Sequence, residues 1–324
     1  MIQFQNCKVI GDGIGYDTYA KQEFKRGDAR FIMSRGELMT FADCPAKWIA
    51  GVERGDTKAT DWGDLIDSMV LSPAKFDAKF AVAPLEYKPG KPWTYKADAC
   101  VEWRKGKEAA GLKVTTEADM KKATTALIGL KKNRDIMELV ECSKTQVMAT
   151  SVFHDKETGL DIPLRVLLDL VPDKTNARWG KSLGDFKTAR NAAMFAFGRQ
   201  INESHYDAQC GLYRPVYVGA TGEDRVDWQL AIQENEAPYH SEIYTLSEKF
   251  IENGEAKILK SLALYCWCLK NNQWPGYSMT ARIRYNGVAI IEPEDWMITR
   301  LAEFCPIPQN GAESNSQSTD DITP

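Results

Sequence analysis

The 324-residue sequence has only three histidines, and no apolar run reaches the length of about 18 residues that a helical membrane span needs. A spanning helix is therefore not expected. The N-terminus, MIQFQNCKVIGDG, has no basic stretch followed by an apolar one, so no secretory leader is expected and the location reads as cytoplasmic. Eight cysteines are present, but in no pattern that marks a disulfide scaffold. The closest pair, Cys266 and Cys268, has one residue between them, whereas zinc knuckles usually need about two to four. A surplus of positive charge is also missing: 41 Lys and Arg stand against 45 Asp and Glu, for a net charge of -4. A protein that coats nucleic acid indiscriminately would be basic. An enzyme with a local basic channel remains compatible with this balance.

The hydrophobic share is 44% and the charged share 27%, with a mean hydropathy of -0.40. That is ample for one large domain. Residues 1–30 are polar and Gly-rich and read as an arm or an early strand. Residues 31–304 read as the main domain, and 305–324 as a polar, disordered tail. Ser34 and Glu37 have capping-box spacing and predict a helix through Leu38, Phe41, Trp48 and Ile49, bent at Cys44-Pro45. A second helix holds Leu65 to Leu71 and stops at Ser72-Pro73. Residues 84–100 read as a loop. Helical periodicity runs through Met120, Ala123, Leu127, Leu130, Ile136 and Leu139. Strands are expected at 145–153, 162–172, 182–187 and 226–234. A helical stretch broken near 200–204 reaches about 217, and a long helix runs from Ser247 to about Asn271. This order predicts an α/β fold, a mixed sheet flanked by helices.

The chemistry concentrates in two predicted strands. Asp169 lies inside the apolar run Val166 to Val171, and Asp185 is followed by Phe186 and Lys187. A carboxylate is costly in such a place unless paired or bound to a cation. Asp185 and Lys187 are two apart on a strand and share a face. If the strands are neighbours, Asp169 and Asp185 converge on one site, and two carboxylates with backbone and water oxygens suit Mg²⁺. Lys187 would orient or deprotonate a water, or stabilise phosphate charge. Taken alone, the tripeptide could equally be a buried ion pair.

Asp169 with Gly184-Asp185-Phe186-Lys187-Thr188 resembles the signature of the PD-(D/E)XK (restriction-endonuclease-like) nucleases. Tyr206-Asp207-Ala208-Gln209-Cys210-Gly211-Leu212-Tyr213 is similar to the RecB-type Gln-x-x-x-Tyr helix, with Tyr206, Gln209 and Tyr213 on one face. Three further blocks resemble the RecE-like, exodeoxyribonuclease VIII branch. The first is Trp62-Gly63-Asp64-Leu65-Ile66-Asp67, where Asp67 stands in the slot of a family His. The second is Gln233-Glu234 with Ala237-Pro238-Tyr239. The third is Trp274-Pro275-Gly276-Tyr277.

The resemblance implies a PD-(D/E)XK core with helical N-terminal additions and a metal-dependent exonuclease of linear duplex DNA. It implies Mg²⁺, with Mn²⁺ as a substitute, held by Asp169, Asp185 and the Phe186 backbone carbonyl, with Asp67 as a candidate third carboxylate. Lys187 and Gln209 would join Asp169 and Asp185 in catalysis, while Tyr206, Tyr213 and Thr188 would bind substrate. Digestion from 5′ to 3′, a RecT-like single-strand annealing partner, a homo-oligomer and a role in phage or prophage recombination are implied with it. A RecB- or Cas-type nuclease of other polarity, or a DNA-binding module that has lost catalysis, are the alternatives. Some RecB-like nucleases hold an iron–sulfur cluster; Cys44, Cys266, Cys268 and Cys305 do not fit its spacing, so none is expected. Two stretches could track DNA: the aromatic and basic residues 87–107, among them Trp93, Tyr95, Trp103 and Arg104, and the basic helix with Lys121, Lys122, Lys131, Lys132 and Arg134. Each could equally be a solvated surface, as could His205.

Overall fold

A computed structural model describes residues 2–52, 58–277, 284–285 and 288–291. The tail expected from residue 305, and Cys305 with it, lie outside the described residues. The chain divides into two units, Met1–Trp274 and Pro275–Pro324.

The first unit opens with strand β1 (Gln5–Gly11) and the short helix α1 (Tyr16–Ala20). Helices α2 (Arg35–Asp43), α3 (Pro45–Ile49) and α4 (Lys58–Leu71) follow, then α5 (Phe76–Lys79). Next come strands β2 (Phe80–Ala83), β3 (Glu86–Lys88) and β4 (Lys91–Pro92), helix α6 (Asp98–Ala109) and strand β5 (Lys113–Thr116). Helices α7 (Glu117–Leu130) and α8 (Arg134–Glu141) lead into the long strands β6 (Ser143–His154) and β7 (Asp161–Pro172), and then β8 (Ser182–Ala189). Helices α9 (Met194–Glu203) and α10 (Tyr206–Thr221) precede β9 (Asp227–Glu234), β10 (Ser241–Thr245) and the long helix α11 (Glu248–Asn271). In the second unit, β11 (Arg284–Tyr285) and β12 (Val288–Ala289) pair as a hairpin.

The main sheet has the order β1-β6-β7-β8-β9-β10. All its neighbours are antiparallel except β8 and β9, which run parallel. A parallel pair needs a crossover connection, and α9 with α10 supply it. Of the two readings of residues 1–30, an early strand describes Gln5–Gly11, which pairs along β6. The expected loop at 84–100 instead holds the hairpin β3–β4 and the start of α6. The pair β2–β5, the strand β10 and helix α1 had no clear periodic signal, because short elements carry too few residues to show one, and the 12-residue helix α6 buries only Cys100.

Local signals explain the helix boundaries. Ser34 Oγ accepts from the Glu37 amide at 3.2 Å and starts α2. The Glu37 carboxylate takes the Trp48 indole N–H at 2.5 Å and pairs with Arg26, so it joins α2 to α3. Between α9 and α10, His205 adopts a left-handed φ of 55, which breaks the helical stretch near the expected place. Asn272 ends α11 in the same conformation.

Both faces of the sheet are covered. On one side Leu38, Phe41 and Trp48 pack with Val166, Leu168, Leu183, Leu212, Val216, Leu262 and Tyr265. On the other, Ile66, Ala126, Leu130, Ile136 and Leu139 pack with Leu170, Phe186 and Ala231. A strand buried on both faces reads as a nearly continuous apolar run, which accounts for Ile162 to Val171. Among the described residues no helix is long and apolar enough to cross a membrane.

Candidate active site

β7 and β8 are neighbours, as the convergence of Asp169 and Asp185 requires. Leu170 pairs with Gly184, where an added Cβ would sit 3.2 Å from the Leu170 Cβ, so glycine lets the two strands close up. Asp169 Oδ2 accepts from the Phe186 amide at 3.2 Å. Asp185 Oδ1 accepts from Gln209 Nε2 on α10 at 2.6 Å, and Asp185 Oδ2 pairs with Lys187. The Lys187 ammonium lies 5.2 Å from the centre of the Tyr206 ring. Tyr206 is held in turn by Gln200, whose Nε2 donates to its hydroxyl at 3.3 Å.

The β6–β7 ladder runs from Ser143 opposite Pro172 to His154 opposite Asp161 and is interrupted at one place, between Thr145–Leu170 and Val147–Leu168. There Gln146, facing Asp169, takes a left-handed φ of 52. Such backbone is costly for a side chain with a Cβ and tends to gather at functional sites. Strict alternation breaks at the same point: Val166 and Leu168 join one core while Leu170 joins the other.

Burial drives the electrostatics of the cluster. Desolvation raises the Asp169 carboxyl well above the ordinary range, and the charge of Asp185 adds to this while Lys187 opposes it. Asp67, projecting from α4, is pushed up to about 7 by desolvation first and by Asp185 and Asp64 after it, against Lys187 and Lys79. Burial works against the charge of Lys187, yet Asp185 and Asp169, with Tyr206, outweigh it and raise its affinity for a proton. Three carboxyls gathered on one cation leave an excess of negative charge. Among the described residues, no three His, Cys, Asp or Glu side chains form a closed metal cage. Two carboxylates, with backbone and water oxygens to complete the set, are hard ligands of the kind Mg²⁺ takes.

A cleft of about 660 Å³ opens beside the cluster, with Asp64, Asp67, Lys187, Thr188, Arg190, Gln200, Glu203 and Tyr206 among its lining residues. Thr188 faces Gly63, whose added Cβ would lie 3.3 Å from the threonine hydroxyl. Tyr213 does not line the cleft: it is buried, its ring edge-on to Trp228, and burial pushes its hydroxyl up to about 12, with the nearby Arg35 charge opposing and Asp185 adding to the rise. Arg35 carries no sequence signal and meets Gln209 across 174 residues, donating to Oε1 at 3.2 Å. Periodicity marks it only as the first residue after a cap.

The remaining blocks act as braces around the site. Gln233 Nε2 donates to the Ala126 carbonyl, and Glu234 accepts from the Ala192 amide at 2.9 Å. Tyr239 stacks on Trp62 with ring centres 6.2 Å apart. Trp274 joins Phe41, Trp48 and Tyr265 in an aromatic cluster. In the stretch 87–107, Trp93 and Trp103 pack edge to face at 5.0 Å, and Arg104 lies over Tyr95. The thiols of Cys210, Cys266 and Cys268 are raised by burial.

A sheet of this order, with two acids and a lysine on adjacent central strands and a glutamine from the crossover helix, defines a PD-(D/E)XK-type fold. The chain belongs to the family described as PDDEXK-like domain of unknown function (DUF3799), whose model matches residues 34–284. No curated protein matches the sequence. Among solved structures, the chain is similar to a "Putative exonuclease" from Eubacterium rectale, at 14% identity and a TM-score of 0.51, with 89% of this chain and 98% of the other covered. An alkaline exonuclease from Laribacter hongkongensis aligns at 13% identity over 55% of this chain and 86% of its own, with a TM-score of 0.26. The first of these likenesses concerns the fold; the second is too distant to bear on it.

Proposed function

We propose that the protein is a metal-dependent DNA exonuclease that hydrolyses phosphodiesters at the ends of linear duplex DNA. The observation that carries this reading is the contact set Asp169–Phe186, Asp185–Gln209 and Asp185–Lys187, which reaches an open cleft through Phe186 and Lys187. Asp169, Asp185 and the Phe186 carbonyl would hold the cation, with Asp67 as a candidate third carboxylate. Mg²⁺ or Mn²⁺ bound there supplies Lewis-acid polarisation of the phosphate and a more acidic water.

The residues of the chain do the rest. Lys187, paired with Asp185 and lining the cleft, would orient or deprotonate the attacking water and stabilise charge on the phosphate. Gln209 fixes the Asp185 carboxylate from the side opposite Lys187. Tyr206 sets the height of the ammonium over its ring, and Thr188 with Arg190 offers polar contacts along the cleft. Tyr213, one turn on from Gln209 along α10, packs on Trp228 and would fix the helix against the sheet.

The Eubacterium rectale structure of similar fold carries the description "Putative exonuclease", with which attack at ends agrees. The RecE-like blocks support 5′ to 3′ digestion in the cytoplasm, supplying single strands to a RecT-like annealing partner during phage or prophage recombination, by a homo-oligomer.

The test is digestion of linear duplex DNA labelled separately at its 5′ and 3′ ends, with Mg²⁺ and with EDTA. Release of the 5′ label as mononucleotides, dependent on Mg²⁺ and abolished in Lys187→Ala, is expected. A wild-type protein that binds DNA but never cuts it would overturn the enzyme reading and leave a binding module.

A further inference from the structure

Gln209 is held from two sides. Its Nε2 donates to Asp185 Oδ1 at 2.6 Å, and its Oε1 accepts from Arg35 Nη2 at 3.2 Å. A carboxamide has nearly the same shape after a half-turn about its last torsion, so packing alone does not tell its oxygen from its nitrogen. Arg35 does. A guanidinium has donors only, and it therefore requires the oxygen. The flipped amide would set N–H groups against the cation and an oxygen against the Asp185 carboxylate, which loses both bonds at once.

Arg35 is itself anchored. Its Nη1 donates to the Ser204 carbonyl at 3.4 Å, in the turn between α9 and α10 that forms part of the cleft wall. The nearby Glu37 does not neutralise it, because that carboxylate serves Arg26 and Trp48. Arg35 is the first residue of α2, where Ser34 caps the helix, so its backbone is fixed. The guanidinium thus sits where α2, the α9–α10 turn and α10 meet.

We infer that Arg35 is a positioning residue of the site: it sets the Gln209 amide so that Nε2 faces Asp185, and through that bond it holds the Asp185 carboxylate between Gln209 and Lys187. The activity arm of its test rests on the nuclease reading; the spectroscopic arm does not.

The comparison uses wild type, Arg35→Ala, Arg35→Lys, Gln209→Ala and the double variant Arg35→Ala/Gln209→Ala. The first readout is the side-chain amide resonance pair of Gln209 in ¹⁵N-labelled protein, identified by its loss in Gln209→Ala. Arg35→Ala is expected to collapse this pair toward the positions of a free amide, and Arg35→Lys, which keeps a donor, to retain much of the wild-type shift. The second readout is kcat for Mg²⁺-dependent digestion of labelled duplex. Arg35→Ala is expected to lower kcat about tenfold in the wild-type background but less than about twofold in the Gln209→Ala background, the non-additivity of groups acting as one unit. Unchanged Gln209 resonances in Arg35→Ala, losses that multiply, or a rise in KM with kcat intact would each overturn the inference, the last by making Arg35 a direct phosphate contact. Should thermal melting show Arg35→Ala to be unfolded, Arg35→Met keeps the aliphatic stem and takes its place. If wild type cuts no DNA, the nuclease reading falls, and the resonances alone decide the role of Arg35.

Discussion

Asp185 and Gln209 meet at 2.6 Å, carboxylate oxygen to amide nitrogen, although one lies on β8 and the other on α10. That bond accompanies an ion pair of the other carboxylate oxygen with Lys187, in a side chain only 1% exposed. Asp185→Asn leaves Lys187 beside Asp169 and relieves the repulsion that raises the Asp169 and Asp67 carboxyls. It is therefore expected to change stability by only about 1 kcal/mol and to lower nuclease kcat at least about a hundredfold. Chemical denaturation followed beside the activity assay separates the two effects. A variant of native stability and native rate would remove Asp185 from the proposed chemistry.

The raised carboxyls predict how cation binding depends on pH. Burial pushes the Asp67 carboxyl up to about 7, and the Asp169 carboxyl is raised as well. A carboxyl whose pKa is higher in the folded state binds protons that the unfolded chain has released. Its contribution thus favours folding less and less as pH climbs from the unfolded value through the folded one. A divalent ion must displace those protons. Mg²⁺ should consequently raise the melting temperature more at about pH 8 than at about pH 6, with proton release on binding. Calorimetry in two buffers of different ionisation enthalpy measures that release directly; an identical heat in both would contradict it.

Helices α10 and α11 cross at two glycines. An added Cβ on Gly254 would run into the Asp207 backbone, and one on Gly211 into the backbone of Gly254 and Glu255. Asp207, fully buried at the same crossing, accepts from Asn253 at 2.6 Å and pairs with Lys257 at 2.7 Å. Gly254→Ala is expected to cost about 2 kcal/mol or more, because backbone cannot give way as a side chain can. Since α10 carries Gln209, activity per folded molecule should fall as well. A thermal melt within a degree or so of wild type would show that the crossing is looser than this packing implies.

Gln146 gives a prediction of opposite sign. Its left-handed φ of 52 opposite Asp169 is one that glycine takes without steric cost. Gln146→Gly should leave stability unchanged or raise it by up to about 1 kcal/mol, whereas Val147→Gly, in the regular ladder and 3% exposed, should lower it. Equal losses from both would mean that the Gln146 side chain, not its backbone, matters.

Much of this architecture was legible residue by residue. The apolar runs around Asp169 and Asp185 marked two buried strands, and the i, i+3, i+7 spacing of Tyr206, Gln209 and Tyr213 marked a helix. Ser34 and Ser247 announced their helices correctly. Periodicity and capping are local, so the chain states them within a few neighbours. The short strands β2, β5 and β10 were not legible, because they exist through their partners rather than through their own pattern.

The sequence by itself determined that two acids and a lysine would lie on strands, and that Asp185 and Lys187 would share a face, since a strand alternates every second residue. Only the tertiary structure decided the rest. It placed β7 beside β8, opened the ladder at Gln146, turned Tyr213 into the core and brought Arg35 across 174 residues to Gln209. The physical reason is reach: backbone geometry fixes neighbours a few residues apart, whereas contacts between distant segments follow from how whole faces are buried, which no single stretch of chain encodes.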